Sequence, residues 1–438
     1  MFYGDGLVQG IYKMIVEKNN KKKIAIVGTG ISGLTSAYLL NKVHDITVFE
    51  SGDYIGGHTA TKSVEVEGKT WQIDTGFIVF NDKTYPNFEK LLAEIGVERL
   101  ATEMSFSVHN QDTGLEYSGS GLTGLFAQPR NIVNLQFLTL VKEILRFNKL
   151  CKKLWVDKQI VSELDLGDFL ANHQFDDYFA NHYILPMGAA IWSTSLTEMK
   201  AFPLYFFIRF FYNHGLLSIF NRPQWYVIPG GSKQYIEPLI ENFKQSIHLN
   251  SPVTGIRRLS NGIELQVNHG EWQQFDDVVL ACHSDQAQAM LTDITEQEKR
   301  VLSGLKYQKN EVVMHTDENM LPIKKAAWAA WNYHLNSDNL RPAALTYNMK
   351  ILQRLENSAP TFCITLNQTG LINPNKVLGT YYYDHPVFNA SSLQSQKQRV
   401  DICGKNNTHF AGAYWYNGFH EDGVRSALDV CKRFGITL

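Results

Sequence analysis

A glycine-rich loop that follows a short apolar run constrains the fold of this 438-residue chain more than any other feature. The run KIAIV leads directly into the motif GxGxxG, which is formed by Gly28, Gly30 and Gly33. A helical segment and a second apolar run, Ile46–Phe49, follow it. This order is typical of a βαβ unit that binds a dinucleotide at the N-terminus of its helix. We therefore expect a parallel, doubly wound sheet.

The residues around this loop indicate which nucleotide is bound. The amides of Ile31 and Ser32 open the predicted helix, where they can donate to a pyrophosphate. Glu50 ends the second strand. Its carboxylate can accept hydrogen bonds from the ribose hydroxyls and would repel a 2′-phosphate. We therefore expect a nucleotide with a free adenosine ribose rather than one of the NADP type.

Two segments after Glu50 favour FAD over NAD. The first is Gly56-Gly57-His58-Thr59, and the second is DTGF at 74–77. This pattern, E-x5-GGxxT followed by DxG, resembles the glutathione-reductase-type flavoproteins and, within them, the flavin amine oxidase and phytoene desaturase group. The resemblance implies that the two glycines pass beside the pyrophosphate of FAD and that the DTGF backbone lies near the flavin. Most members of the group carry Arg where this chain has His58.

The end of the chain resembles the same group. The segment THFAGA (408–413) predicts a strand that runs into glycine, and Val424–Phe434 predicts the final helix. The resemblance implies that the backbone amides of Gly423 and Val424 face the flavin edge that becomes negative on reduction. Members usually carry an acid where this chain has Ala413. We expect Asp422 or a backbone group to take over part of that acid's role.

The resemblance thus implies a set of FAD-binding residues, in which Val253 contributes its backbone against the adenine. The set is Gly28, Gly30, Ile31, Ser32, Gly33, Glu50, Ser51, Gly56, Gly57, His58, Thr59, Asp74, Thr75, Gly76, Phe77, Val253, Gly412, Ala413, Asp422, Gly423 and Val424. We expect FAD to be bound non-covalently, because no Cys stands where some amine oxidases attach it. No metal site is expected, since the five cysteines form no CxxC pair.

The predicted cofactor segments are far apart in the sequence, so a second domain must form from the insertions between them. We expect an α/β fold: a glutathione-reductase-type, Rossmann-like FAD-binding domain with a discontinuous α+β substrate domain, in an amine oxidase-like two-domain architecture. The predicted FAD-binding domain comprises 22–80, 229–300 and 404–438, and the substrate domain comprises 81–228 and 301–403. The first insertion reads as mainly helical and the second as mainly strands.

A narrower resemblance extends over nearly the whole chain. The segments that carry it are DTGFIVFNDKTYPNF (74–88), MSFSV (104–108), LFAQ (125–128), MGAAIWS (187–193), FNRPQW (220–225), AWAAWNYH (327–334) and GFHEDG (418–423). They resemble amine oxidase-like flavoproteins linked to cyclopropane fatty-acyl phospholipid synthases and to furan fatty acid formation. This resemblance implies a lipid or fatty-acyl substrate and a functional link to a fatty-acyl methyltransferase.

The aromatic segment Phe202–Trp225 has two interpretations. It holds nine aromatic residues, and these can line an apolar tunnel or a membrane-facing entrance for an acyl chain. The alternative is an ordinary buried helix of the second domain. The segment also contains Pro203 and Arg209, so we do not expect it to span a membrane.

The candidate catalytic residues lie before the final helix. Tyr416 can form part of an aromatic wall over the flavin, and His420 can move protons near neutral pH. With Tyr414 and Glu421, Tyr416 can also supply the aromatic cage and acid that a cationic amine requires. Asn332 is a further candidate for orienting a substrate.

Three hypotheses of function follow from these residues. The first is an FAD-dependent oxidoreductase that desaturates a hydrophobic substrate, for which we favour a methyl-branched or otherwise modified fatty-acyl chain. The second is a flavin amine oxidase acting on a soluble amine. The third is a non-catalytic flavin-binding partner of a fatty-acyl methyltransferase.

Charge and the N-terminal segment bear on partners and location. The net charge of −2 gives no reason to expect nucleic acid. Met1–Asn20 has no apolar core of a signal peptide. We therefore expect a cytoplasmic protein, with peripheral membrane contact through its lipid substrate.

Overall fold

The computed structural model describes residues 21–161, 164–336 and 343–438. The interpretation of Met1–Asn20 lies outside these residues. By its internal contacts the chain divides into two units, one containing the glycine-rich loop and one built largely from the insertions. No helix of the described ranges is both long enough and apolar enough to cross a membrane.

The α-helices are named here in chain order. They are α1 (Ile31–Leu40), α2 (Pro86–Glu94), α3 (Leu122–Leu125), α4 (Leu135–Val156), α5 (Leu166–Asn172), α6 (Asp177–Phe179), α7 (Leu185–Trp192), α8 (Leu196–Lys200), α9 (Leu204–Asn213), α10 (Ile236–Ile240), α11 (Ser284–Met290), α12 (Glu296–Ser303), α13 (Met349–Leu352), α14 (Ala390–Lys397), α15 (Arg399–Ile402) and α16 (His420–Arg433). Short 3-10 turns and one π-helical turn, Ala180–Ile184, connect some of them.

The strands form five sheets. They are β1 (Lys23–Val27), β2 (Asp45–Phe49), β3 (Thr61–Val66), β4 (Lys69–Asp74), β5 (Phe80–Asn81), β6 (Leu100–Thr102), β7 (Phe106–Asn110), β8 (Glu116–Ser118), β9 (Trp225–Val227), β10 (Ile247–His248), β11 (Val253–Leu259), β12 (Gly262–Val267), β13 (Trp272–Phe275), β14 (Asp277–Leu280), β15 (Lys306–His315), β16 (Trp331–Leu335), β17 (Leu345–Asn348), β18 (Cys363–Leu366), β19 (Val377–Val387) and β20 (Thr408–Phe410).

The first unit comprises the described residues up to Gly57, together with Ile236–Gly304 and Ser395–Leu438. Its central sheet is parallel throughout and has the strand order β10-β2-β1-β14-β20. The chain leaves β1 towards β2 on one side, while β14 lies on the other side. The carboxyl ends of β1 and β14 therefore mark the switch point at which such sheets bind ligands. An antiparallel sheet, β11-β12-β13, completes the unit.

The second unit comprises the described residues of His58–Tyr235 and Leu305–Gln394. Its main sheet has the order β19-β15-β18-β17-β16-β7-β8, and only β16 and β7 pair in parallel. The hairpin β3–β4 contributes Trp71 and Ile73 to a core that also contains Met349, Phe362 and Ile364. These buried apolar side chains explain why the hairpin packs within this unit.

The contact-based division differs from the predicted domain boundaries in four places. Residues 58–80 and 229–235 pack with the second unit, although the prediction placed them in the FAD-binding domain. Residues 301–304 and 395–403 pack with the first unit, although the prediction placed them in the substrate domain. The physical reason for the first difference is the β3–β4 hairpin, whose apolar side chains belong to the core of the second unit.

Most predicted elements are confirmed. The first insertion, predicted to be mainly helical, contains the long helix α4, which the side chain of Asn134 caps by accepting from the amides of Gln136 and Phe137. The strands predicted in the second insertion are β15, β17, β18 and β19. The prediction for the last helix was wrong at its start, because α16 begins at His420 rather than at Val424.

The aromatic segment is mostly core. Five phenylalanines have ring centroids between 4.5 and 6.5 Å from that of Trp192: Phe202, Phe206, Phe207, Phe210 and Phe211. All five side chains are buried. Phe220, in contrast, is 81% exposed. The interpretation as a buried helix is therefore confirmed for the five rings around Trp192, because they face protein on all sides.

Truncating a ring of this cluster is expected to destabilise the protein. Phe207 is fully buried and stacks on Phe211 at 4.0 Å between centroids. We expect Phe207→Ala to lower the free energy of unfolding by about 3–5 kcal/mol, because it leaves a cavity. The matched variant Phe220→Ala should change it by less than about 0.5 kcal/mol. Urea unfolding followed by circular dichroism measures both, and equal effects would contradict the assignment of the cluster to the core.

Candidate functional site

The glycine-rich loop of the first unit is shaped by two close approaches. Gly28 has φ +101°, and a Cβ on it would lie 2.8 Å from the carbonyl oxygen of Ala281, just after β14. A Cβ on Gly33 would lie 1.9 Å from the carbonyl oxygen of Gly28. Side chains at either position would push α1 away from the sheet. Glycine is therefore required at both positions by packing within the protein, whether or not a ligand is bound.

Gly30 differs from these two glycines. A Cβ on it would meet no atom within 4 Å, and its backbone has an ordinary negative φ. No feature of the protein therefore requires glycine at this position. Open space in front of a glycine at a helix N-terminus fits the close approach of a pyrophosphate. The open space at Gly30 therefore fits the pyrophosphate of FAD.

The start of α1 presents donors to that space. Leu34 is the first residue whose amide donates within the helix, to the carbonyl oxygen of Gly30 at 2.9 Å. The amides of Ile31, Ser32 and Gly33 thus precede the first intrahelical bond, and an anion can accept from them. A Cβ on Gly57 would lie 3.2 Å from the Cα of Gly30. Gly57, of the predicted pair Gly56-Gly57, therefore packs directly against the glycine-rich loop.

Glu50 stands at the end of β2 and is held by the two loops around it. Its Oε2 accepts from the amide of Thr29 at 2.9 Å and from the Thr29 hydroxyl, and its Oε1 accepts from the amide of Gly52 at 2.9 Å. Oε2 already accepts two hydrogen bonds, so the capacity left for a ribose hydroxyl is on Oε1, where the exposed Ser51 hydroxyl at 3.4 Å is a weak competitor. The carboxylate can therefore accept from a ribose hydroxyl while it keeps these contacts. Ser51 is exposed beside it.

Val253 opens β11 close to this end of the sheet. It pairs with Val267, and a register shift follows between Val253 and Gly255. The amides of Glu50 and Ser251 tie the β2 end to this segment, since Glu50 donates to His248 O and Ser251 donates to Glu50 O. This places Val253 within the first unit, as expected. Its contact with adenine remains a prediction.

The helices α1 and α16 cross at Gly423. A Cβ on Gly423 would lie 2.6 Å from Cγ2 of Ile31. The Ser32 hydroxyl donates to the carbonyl oxygen of Gly423 at 3.0 Å, and the Ser426 hydroxyl donates to the same oxygen at 2.8 Å. The Ser32 side chain, predicted to contact FAD, therefore joins the two helices. Donation from the Ser32 amide to a phosphate remains a prediction.

The predicted donor role of the Gly423 amide is wrong. That amide donates within the helix to the carbonyl oxygen of Phe419 at 3.1 Å, because α16 begins at His420 rather than at Val424. Val424 consequently lies in the second turn. The amide of Asp422 is engaged in the same way, since it donates to the carbonyl oxygen of Phe419 at 2.9 Å. Gly423 is needed for the close packing of the two helices instead.

Asp422 is a fully buried carboxyl group at the start of α16. Its Oδ2 accepts from the amide of Phe419 at 2.9 Å, and the Asn417 side chain donates to its Oδ1 at 3.3 Å. Burial, and to a lesser extent the neighbouring Glu421, raises the pKa of Asp422 from 3.8 to about 7, against the opposing effect of the backbone hydrogen bond. Asp422 thus caps the helix. A contact with the ribityl chain stays a prediction.

The predicted catalytic residues occupy different environments. His420 is the first residue of α16 and is buried. Tyr416 donates its hydroxyl to Asp429, two turns into the same helix. Asp429 also pairs with Arg399 at 2.7 Å, and the Arg425 guanidinium lies 3.9 Å over the Tyr416 ring. The Tyr416 side chain therefore has a structural role, and we do not carry it forward as a catalytic group.

Strand β20 ends at Phe410, and a short 3-10 turn, Ala413–Trp415, follows it. The amide of Gly412 donates to the Ser426 hydroxyl at 2.8 Å. A Cβ on Gly412 would collide with the Tyr414 ring. Gly412 and Ala413 thus lie beside α16, as the resemblance implies. Their contacts with FAD remain predictions.

In the second unit, the DTGF segment is fixed by contacts of its own. Asp74 is buried and accepts from Ser232 N at 2.9 Å and from the hydroxyls of Ser232 and Thr61. Burial raises the pKa of Asp74 to about 6. A Cβ on Gly76 would lie 2.2 Å from the carbonyl oxygen of His58, which accepts from the amide of Phe77 at 2.7 Å. These contacts hold the DTGF segment in place within its own unit.

A cluster of the second unit was missed at the sequence level. The His58 ring lies 5.2 Å from Tyr383 and 5.9 Å from His385, between centroids. Tyr383 shares a hydrogen bond of 2.7 Å with the Thr75 hydroxyl, and His385 Nδ1 lies 2.9 Å from the Ser193 hydroxyl. Tyr383 and His385 are two apart on β19, so the period of a strand placed them on one face. Thr59, also predicted, hydrogen bonds with the Tyr235 hydroxyl.

Asn332 has no capacity left for a substrate. Its Oδ1 accepts from the Ser107 hydroxyl at 2.8 Å and from the amide of Ala329 at 3.0 Å. Its Nδ2 donates to the carbonyl oxygens of Ala329 and Thr346. The prediction that Asn332 orients a substrate was therefore wrong, since its side-chain oxygen and nitrogen are both saturated by residues of its own unit.

Comparison with known proteins agrees with this geometry. The model of the family described as flavin containing amine oxidoreductase matches residues 31–348. A 59-residue segment is 42% identical to an L-amino-acid oxidase from Bothrops jararacussu, and covers 13% of this chain and 12% of that protein. The chain thus matches only about an eighth of the length of the curated relatives of this kind.

Two solved structures share the fold over nearly their whole length. A CLA-producing fatty acid isomerase from P. acnes has a TM-score of 0.67 at 15% identity, over 94% of this chain and 98% of that one. A putrescine oxidase bound to putrescine has a TM-score of 0.66 at 14% identity, over 94% and 99%. The predicted amine oxidase-like two-domain α/β fold is confirmed.

Two glycine variants separate a structural role from cofactor binding. Gly33→Ala places a methyl group 1.9 Å from the Gly28 oxygen. We expect it to lower the free energy of unfolding by about 3 kcal/mol or more. Gly30→Ala meets nothing and should cost at most about 1 kcal/mol. It should nevertheless weaken FAD binding at least about tenfold, because its methyl group enters the space that fits the pyrophosphate.

Unfolding of the apoproteins and titration with FAD measure the two quantities. A Gly30→Ala variant that binds FAD as tightly as the parent protein would contradict the assignment of this space to the pyrophosphate.

The pH dependence of stability is expected to reflect Asp422. Its pKa is raised in the folded protein, so its contribution is complete below the unfolded pKa near 4 and is lost as pH rises through about 7. Asp422→Asn, which stays neutral, should reduce the loss of unfolding free energy between about pH 5 and about pH 8 by about 2–4 kcal/mol. Urea unfolding at both pH values tests this, with Asp285→Asn at an exposed site as control. Parallel pH profiles for the two variants would refute it.

Proposed function

The chain belongs to the flavin containing amine oxidoreductases and is an FAD-dependent oxidoreductase, and from this premise we propose that it desaturates a fatty-acyl chain of a lipid. The substrate we favour is a methyl-branched or otherwise modified acyl chain. We further propose that the chain belongs to the subgroup linked to cyclopropane fatty-acyl phospholipid synthases and furan fatty acids. Since the chain is an oxidoreductase, we set aside the hypothesis of a non-catalytic flavin-binding partner.

The sequence supports this choice of substrate across most of the chain. Segments that resemble the lipid-linked subgroup lie in both units, from DTGFIVFNDKTYPNF (74–88) to GFHEDG (418–423). The fold is compatible with an acyl substrate, because the P. acnes protein with the same fold is named as a fatty acid isomerase. The fold alone does not discriminate, since putrescine oxidase shares it too.

The observation that favours a lipid over an amine is the environment of Tyr416 and Tyr414. A cationic amine needs open aromatic faces and an acid. The Arg425 guanidinium already lies 3.9 Å over the Tyr416 ring, and Arg399 is nearby through the shared Asp429. Tyr414 is buried against Trp415 at 5.0 Å between centroids. A cation approaching Tyr416 would meet a like charge, so the cage predicted from these tyrosines is disfavoured.

The proposed reaction breaks two C–H bonds on adjacent carbons and forms a C=C bond. When bound, FAD supplies the acceptor for the hydride from one carbon. A side chain of the protein must take the proton from the other carbon. His420 at the start of α16 remains the predicted acceptor, and His385 is a second candidate because Ser193 holds its ring through Nδ1. Oxygen or another electron acceptor would complete the cycle.

The proposal also indicates which reaction supplies the substrate. A methyl branch on an acyl chain requires transfer of a one-carbon unit to that chain. We therefore propose a functional link to a fatty-acyl methyltransferase whose product this protein consumes. Because a lipid substrate resides in a membrane, we propose a cytoplasmic site of action with peripheral membrane contact.

Anaerobic reduction of the bound flavin tests the proposal. The purified holoprotein is mixed with a methyl-branched acyl phospholipid, with its straight-chain counterpart, and with putrescine or an L-amino acid. We expect the branched lipid to bleach the long-wavelength flavin absorbance, and the lipid product to be lighter by two hydrogens in mass spectrometry. His420→Gln and His385→Gln should each be compared, and loss of the proton acceptor should slow bleaching by about 100-fold or more. Bleaching by the amines alone would overturn the proposal.

A further inference from the structure

The helix α4 of the second unit has two apolar faces, and only one of them is buried. The buried face carries Phe137, Leu140, Phe147 and Cys151. Phe147 contacts the rings of Phe169, Phe175, Phe179 and Phe207, so this face belongs to the aromatic core of the unit. A core helix normally presents polar side chains on its other side.

The opposite side of α4 does not follow that rule. It consists of exposed leucine, valine and lysine side chains, which we call the α4 outer face: Leu135, Leu138, Lys142, Leu145, Lys149, Lys153 and Val156. At 3.6 residues per turn these positions fall within an arc of roughly 80°. Leu135 is 80% exposed, and the other three apolar side chains are between 39% and 65% exposed.

The turn before α4 extends this apolar surface. Ile132 and Val133 are exposed, Val133 to 79%. Between Val133 and Leu135, the side chain of Asn134 caps the helix by accepting from the amides of Gln136 and Phe137. The cap holds the flanking apolar side chains in an ordered turn. A group of adjacent apolar side chains that are exposed to this extent marks an interaction site on a protein surface.

The charge of the α4 outer face is of one sign. Its charged residues are Lys142, Lys149 and Lys153, and it carries no acid. The only acidic residue in α4 is Glu143, which is buried and paired with Arg146. The whole chain has a net charge of −2, so this basic face is a local feature rather than a property of the protein.

We propose that the α4 outer face docks on the surface of a bilayer that contains anionic lipid. Leucine and valine side chains at the level of the headgroups, flanked by lysines, are the pattern of helices that lie in a membrane interface. Each lysine near an anionic surface adds electrostatic attraction. A second copy of the chain fits less well, because two such faces would bring lysines against lysines. The docking rests on the proposed function and deepens it, because it names the surface that makes the proposed membrane contact.

Sedimentation with vesicles tests the docking. The holoprotein is mixed at low salt with vesicles of phosphatidylcholine alone or with added phosphatidylglycerol. We expect binding to the anionic vesicles only. The double variant Lys142→Glu/Lys149→Glu should bind at least about tenfold more weakly. The matched control Lys299→Glu/Lys306→Glu changes the net charge equally at exposed lysines outside α4 and should bind like the parent protein. Val133→Ser/Leu135→Ser should also weaken binding while it preserves the Asn134 cap.

Three results would overturn the docking proposal. They are no binding of the parent protein to anionic vesicles, equal loss in the two charge-reversal variants, and a dimer in sedimentation equilibrium that the α4 variants dissociate. The last result would make the face an interface between copies. Flavin reduction by detergent-dispersed lipid, measured on the same variants, separates this proposal from the proposed function. Docking variants should keep that activity, so each proposal can fail without the other.

Discussion

The structure of the first unit depends on the approach of Gly33 to the carbonyl oxygen of Gly28. Because no side chain separates them, α1 starts directly against the end of β1, and its first amides face the open space at Gly30. The same helix meets α16 at Gly423, where Ser32 and Ser426 donate to one carbonyl oxygen. Two helix N-termini are thereby fixed by close backbone packing, which fits the recognition of a cofactor that carries phosphates at one end and an electron-accepting ring at the other.

The cofactor and the family follow from short-range features of the sequence. The βαβ unit, Glu50 and the glycine pair 56–57 are local patterns whose geometry follows from glycine positions and strand periodicity, and each was predicted. The side-chain partners could not be predicted, because they come from distant parts of the chain. Asp74 is held by Ser232, and His385 lies beside Ser193, in each case across more than a hundred residues.

The errors at the candidate site have the same cause. The last helix was predicted to start at Val424, directly after Gly423, because glycine usually marks a helix boundary, whereas here Gly423 marks a helix crossing. Tyr416 was predicted to form part of an aromatic wall over the flavin, but its hydroxyl donates to Asp429. The aromatic segment 202–225 has more rings than one packing face of a helix needs. The additional rings pack against Trp192 of helix α7, which precedes the segment in the chain. The substrate depends on such long-range contacts, so it remains a proposal while the cofactor does not.

The central claim is that this chain holds FAD without a covalent bond and uses it as an oxidoreductase. Acid precipitation of the purified holoprotein tests this most directly, because it separates released cofactor from protein. The account predicts a colourless pellet and a yellow supernatant in which chromatography identifies FAD in equal number to the chains. A colourless supernatant, a flavin retained in the pellet, or a nucleotide other than FAD would contradict it.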